Sequence, residues 1–192
     1  MLTELALVLT TGTTGITGVC AWRFFRRLRT DPLTGLANRA ALYARFTWAR
    51  RFGRPVAVLL GDVDQFKAVN DTHGHRFGDQ VLITIADTLS RTARRGELPV
   101  RLHGDEFAVL LTTTADPHHR AQAFQAAVDS TTEVDGQPVE VGISLGVAVA
   151  PDTATGLSAL LASADDRMYG DKHHRRTPAP TVRLPELTRR NR

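Results

Sequence analysis

Cysteine occurs once in the 192 residues, at Cys20. A single thiol excludes an intrachain disulfide framework and any metal site built on clustered cysteines, and it fits a reducing compartment. The His, Asp and Glu positions lack zinc-type spacing, so zinc is not the expected metal. No internal repeat is present, which argues against a solenoid or propeller. A basic core is lacking too. The net charge of +4 divides into +3 for residues 1–29, +5 for residues 173–192 and −4 for residues 30–172. The high pI therefore belongs to the ends, and an acidic middle without a basic groove argues against a nucleic-acid partner. What remains is an ordinary globular composition, 42% hydrophobic and 23% charged, with length for one domain plus attachments.

Leu5 to Trp22 is uncharged for 18 residues, but Thr10 to Gly15 interrupts its apolar character. Arg23, Arg26, Arg27 and Arg29 follow at once. By the positive-inside rule this predicts a single-pass anchor in the cell inner membrane, with the body of the chain cytoplasmic. The alternative is a cytoplasmic chain whose first helix pairs protomers. Residues 1–29 are thus an anchor or pairing helix, 30–176 the globular domain and 177–192 a basic tail, expected to be disordered.

Within the domain, Asn38 is placed to cap a helix carrying Leu42, Phe46 and Ala49. Pro55 to Leu60 is a continuous apolar run of strand length, a central buried strand that leads into Asp62 and Asp64. Residues 78–95 read as a helix with Val81, Leu82, Ile85 and Leu89 on one face. Leu98 to Leu111 alternates on both sides of His103-Gly104-Asp105-Glu106, the pattern of a β-hairpin. Asp116 to Asp129 reads as a helix, Val139 to Ala148 as a strand and 156–172 as a last helix. The order βαββαβ plus a helix predicts an α+β fold, a central antiparallel sheet with packed helices.

The hairpin tip carries two adjacent carboxylates, and Asp62 stands where a buried strand ends. Taken alone, each also reads as a solvated turn or a helix cap. If the two strands are neighbours, three carboxylates converge on one sheet edge, and mutual repulsion calls for a cation. A hard divalent ion such as Mg²⁺, held by one or two carboxylates and by substrate phosphates, suits such an edge.

Arg101 with HGDEF at 103–107 resembles the signature of the GGDEF family of diguanylate cyclases. DVDQFKAVND at 62–71, followed by THGHRFGDQVL at 72–82, resembles that family's second block. DPLTGLANR at 31–39, GISLGVAVA at 142–150 and ADDRMYGDK at 164–172 match as well, in order. The resemblance implies a ferredoxin-like palm of the nucleotidyl-cyclase and polymerase type. It also implies condensation of two GTP into cyclic di-GMP, with release of two pyrophosphates, by a homodimer whose protomers face each other. By the same resemblance, Asp62, the Val63 carbonyl, Asp105 and Glu106 hold Mg²⁺, with Mn²⁺ as a substitute. Asp105 accepts the proton of the attacking hydroxyl, with Glu106 as the other candidate, and Lys67 stabilises the transition state. Asn70 and Asp79 read guanine, His75 is a further substrate contact, and Lys172 and Arg176 bind phosphate.

The chain departs from the family pattern at two functional places. His103 replaces the first glycine of the signature, which predicts reduced activity. The family's Arg-x-x-Asp inhibitory site reads Arg94-Arg95-Gly96-Glu97 here, so the carboxylate is moved by one methylene and feedback inhibition is weakened. These departures also keep open a catalytically weakened module that binds GTP or cyclic di-GMP and signals by protein contact.

Overall fold

Asn38 opens the first helix as its side chain predicts: Oδ1 accepts from the N–H groups of Ala40 and Ala41 at 3.0 and 3.1 Å. The fold is taken from a computed structural model that describes residues 28–113, 116–152 and 154–174. Helix α1 (Arg39–Arg51) buries Leu42, Phe46 and Ala49, the three residues marked by helical spacing. Burying Leu42 and Phe46 contributes about 1.5–3 kcal/mol each.

Strand β1 (Ala57–Val63) is followed by two helices, α2 (Phe66–His73) and α3 (His75–Thr92). The hairpin is β2 (Glu97–His103) and β3 (Glu106–Leu111). Helix α4 (Pro117–Asp129), a two-residue ladder β4 (Glu133–Val134) with β5 (Gln137–Pro138), strand β6 (Ile143–Val149) and helix α5 (Leu157–His174) complete the domain. The main sheet runs β2-β3-β1-β6 with every neighbouring pair antiparallel. The fold class is the expected α+β palm.

Helices cover both faces of this sheet. Leu59, Phe107 and Val109 pack with Ile85 and Leu89 of α3 and with Phe124 and Val128 of α4. Val58, Leu60, Ala108 and Leu110 pack with Leu42 and Phe46 of α1 and with Leu160 and Ala164 of α5. An antiparallel strand usually keeps one wet face, but β1 is dry on both, so it reads as an unbroken apolar run. The last strand shows the same effect through small residues. Alternating with Ile143, Leu145 and Val147 are Ser144, Gly146 and Ala148, and these face α5 rather than water. A Cβ at Gly146 would overlap the Ala164 carbonyl and lie 2.6 Å from the Met168 nitrogen. The backbone of α5 thus rests on β6.

Two expectations are revised. The sequence pattern marks no helix between Asp64 and Gly78, yet α2 forms there, and α3 begins at His75. The single-pass location in the cell inner membrane is corrected: among the described residues no helix is long and apolar enough to cross a membrane. The longest, α3 and α5, have 18 residues each, and charges such as Arg76, Asp79, Asp87, Arg91, Asp165 and Asp166 interrupt them. Residues 5–22, on which that expectation rested, lie outside the described residues, as do Arg176 and the basic tail.

Candidate active site

Register builds the acid-bearing edge. Asp62, near the end of β1, pairs across the ladder with Glu106, the first residue of β3. Directly opposed residues share a face, and this pair continues the Leu60–Ala108 row. It therefore ends the sheet face that α1 and α5 cover. The Val63 N–H donates to the Asp105 carbonyl at 3.2 Å, tying the hairpin turn to the end of β1. Beyond it, the Asp64 N–H donates to the Gly142 carbonyl at 2.9 Å, and the Ser144 hydroxyl donates to the Asp64 carboxylate at 2.6 Å.

These contacts gather Asp62, Val63, Asp105 and Glu106 at one edge. Among the described residues no three His, Cys, Asp or Glu side chains are grouped to hold a metal ion, so the edge is not a closed carboxylate cage. Two carboxylates in cross-strand register beside a main-chain carbonyl still fit Mg²⁺, which takes few protein ligands and completes its octahedron from phosphates and water.

The turn itself is held by Arg101. Its Nε and Nη2 both donate to the Gly104 carbonyl, at 3.0 and 2.8 Å, while Nη1 reaches Asp31 Oδ1 at 3.0 Å. Asp31 also accepts from the hydroxyl and N–H of Thr34, at 2.7 and 2.9 Å. Burial opposes its ionisation, but the bonds from Thr34 and then Arg101 outweigh burial and hold its pKa below the usual aspartate value. The turn at 31–35 is thereby bolted to the hairpin tip.

The register shifts between Arg101 and His103, and the positive φ of the turn, 51°, falls on Gly104. Among the described non-glycine residues only Gln65 and Asp135 have positive φ. His103 is therefore seated without backbone strain in place of the signature glycine. Its consequence is electrostatic: Nε2 lies 3.2 Å from Glu106 Oε2, and both side chains are exposed.

After β1, α2 and α3 meet at Gly74, and the Asn70 carboxamide lies against Gly78, next to Asp79 in the chain. Among the described residues the side chains of Lys67, Asn70, His75 and Asp79 have no hydrogen-bond or ion-pair partner. Lys67, His75 and Asp79 are exposed and Asn70 is half-buried, so their polar groups are available to a ligand.

The candidate inhibitory residues are placed differently. Glu97 is buried, and both its carboxylate oxygens accept from Arg120, at 2.6 and 2.8 Å. Glu97 also accepts from the Arg94 N–H at 2.8 Å, while the Arg94 side chain is exposed. A fork-to-fork pair of this kind commits the carboxylate to the protein's own interior.

One feature was not legible as part of the site. A cleft of about 230 Å³ lies under the turn, lined by Leu60, Leu102 and Leu161 and rimmed by Arg39, His103, Glu106 and Asp165. Arg39 and Asp165 stand inside the sequence blocks 31–39 and 164–172, which was the only signal for them.

The family model described as diguanylate cyclase, GGDEF domain, matches residues 28–178. The chain belongs to the GGDEF family. The GGDEF domain here is 38% identical over 154 residues to the diguanylate cyclase TpbB of Pseudomonas aeruginosa, covering 76% of this chain and 35% of that protein. It is 39% identical over 145 residues to an uncharacterized 19.3 kDa protein of Streptomyces ambofaciens, covering 75% and 78% of the two chains. The chain thus spans about a third of the TpbB length and most of the smaller relative. Among solved structures, the coiled coil and GGDEF domain of DgcB from Caulobacter crescentus, in complex with c-di-GMP, superposes with a TM-score of 0.76. The identity there is 25%, over 91% of this chain and 96% of that one.

Proposed function

We propose that this GGDEF domain is a diguanylate cyclase that condenses two GTP into cyclic di-GMP and releases two pyrophosphates. The observation that carries this reading is the Asp62–Glu106 pair, set in register beside the Asp105 turn at one sheet edge. A weak binding module has no need of paired acids there, where they repel each other without a cation. That TpbB, 38% identical over the matched residues, is a diguanylate cyclase supports the same reading.

In this mechanism Asp62, the Val63 carbonyl, Asp105 and Glu106 hold Mg²⁺ or Mn²⁺. The bound ion supplies charge neutralisation at the α-phosphate, as in other phosphoryl transfers. Asp105, or Glu106 beside it, accepts the proton of the 3′-hydroxyl as that oxygen attacks the α-phosphate of the facing GTP. Lys67 places a cation near the charge that builds up in the transition state. Asn70 and Asp79 offer donor and acceptor groups to the guanine edge, a polar match that rejects a base lacking those groups. His75 adds a substrate contact, and Lys172 and Arg176 bind phosphate. Each protomer holds one GTP, so turnover needs a homodimer with the two edges facing.

The contact between His103 and Glu106 favours a second reading, a weakened module that binds GTP or cyclic di-GMP and acts by protein contact. Incubation of the full chain with GTP and Mg²⁺, followed by separation of the nucleotides, distinguishes the two. The cyclase reading predicts cyclic di-GMP at an initial rate that rises faster than linearly with protein concentration. GTP bound but unconverted at high protein concentration would favour the module.

A further inference from the structure

Gly74 ends α2 and begins α3, with φ of 83°. Its N–H closes on the Asn70 carbonyl at 2.8 Å, and its own carbonyl accepts from the Gly78 N–H at 3.2 Å. Asn70 and Gly78 therefore lie four residues on either side of one sharp bend, facing each other. The approach is close. A Cβ built on Gly78 would overlap Asn70 Oδ1, and would lie 3.0 Å from Asn70 Cγ and 3.3 Å from Phe66 Cζ. Gly78 is buried and Asn70 half-buried, so a methyl group at Gly78 would force the Asn70 carboxamide to move out of its present seat.

Two facts about Asn70 give this contact meaning. Its carboxamide has no hydrogen-bond partner among the described residues. Packing, not bonding, sets its position, and its donor and acceptor remain available. Glycine inside a helix is also unfavourable relative to alanine, so a bare Cα at the second turn of α3 needs a packing or functional reason.

We propose that Gly78 is a positioning residue for purine recognition: its missing side chain seats the Asn70 carboxamide beside Asp79. This rests on the reading of Asn70 and Asp79 as guanine contacts and deepens it. It assigns part of the specificity to a residue that touches no ligand. A methyl group at position 78 would displace the carboxamide and break the pairing of the two polar groups with one base edge.

The test is a double-mutant cycle on the full chain, with Gly78→Ala, Asn70→Ala and both together. The probes are 3′-deoxy-GTP and 3′-deoxy-ATP, which carry the base and phosphates but not the attacking hydroxyl. Binding is measured by calorimetry in Mg²⁺. G78A is expected to weaken the guanine nucleotide about tenfold, the loss of one good hydrogen bond, and to leave the adenine nucleotide unchanged. In the N70A background, adding G78A should produce no further loss. Equal guanine affinity in the parent and G78A, or an equal loss in both backgrounds, overturns the proposal. If G78A fails to fold and the double variant folds, the clash with Asn70 is demonstrated directly; if neither folds, the glycine is a general packing requirement and the proposal falls. A parent that does not prefer the guanine nucleotide would instead overturn the guanine-reading assignment.

Discussion

Arg101 ties the carbonyl of Gly104 to the carboxylate of Asp31, with bonds of 2.8 and 3.0 Å to the one and 3.0 Å to the other. The turn that carries Asp105 is thus fixed to a segment seventy residues earlier in the chain. Substituting Arg101 with Ala should lower stability by about 2 kcal/mol, the contribution of hydrogen bonds to a charged group, and should lower turnover with it. Lysine cannot fork to two acceptors, so R101K should resemble R101A in urea unfolding. An R101K midpoint equal to that of the parent would contradict this role.

Asp31 also makes a prediction about acid. Its pKa is depressed in the folded state, because the bonds from Thr34 and Arg101 outweigh the opposing effect of burial. A depressed carboxylate contributes its full stability above the unfolded value, about 4, and loses it as pH falls through the folded value. Urea midpoints measured across this acid range should therefore fall more steeply for the parent than for Asp31→Asn. Parallel curves would remove Asp31 as the cause.

Glu97 and Arg120 form a buried ion pair, with side chains 3% and 5% exposed. Removing one partner leaves the other charge buried and costs about 3–5 kcal/mol. Glu97→Gln and Arg120→Met should each show a loss of that order in chemical unfolding, and the double variant should recover much of it. Because the carboxylate is committed inward, Arg94→Ala should leave cyclic di-GMP binding by calorimetry unchanged. A clear loss of binding in R94A would return this position to the role of an inhibitory site.

At the turn, His103→Gly removes the imidazole that sits 3.2 Å from Glu106. The backbone has no strain to relieve there, so the gain is limited to the loss of one exposed contact with Glu106. Turnover should rise by no more than about fivefold, the equivalent of about 1 kcal/mol. A variant no faster than the parent would show that histidine does not limit the reaction.

The hairpin, the buried central strand and most helices were legible because apolar periodicity is a local signal. The acid edge was legible because Asp62 and Asp105 each end or interrupt such a pattern. Helix α2 was not: it has eight residues, no capping side-chain bond and a left-handed Gln65 before it. The partnership of Glu97 with Arg120 was also hidden. It links residues 23 apart, and Arg120 occupies a core position that helical patterning reserves for apolar side chains. Gly146 and Ala148 read as the weak side of a strand, yet they are small because α5 lies directly on them.

The central claim is that the edge formed by Asp62, Asp105 and Glu106 performs chemistry on GTP. The most direct test compares the parent chain with Asp105→Asn in GTP and Mg²⁺, following cyclic di-GMP by chromatography. The parent should accumulate cyclic di-GMP and pyrophosphate in a one-to-two ratio, and D105N, with fold and GTP binding retained, should form essentially none. Equal product from both chains, or none from the parent with GTP bound, would contradict the account.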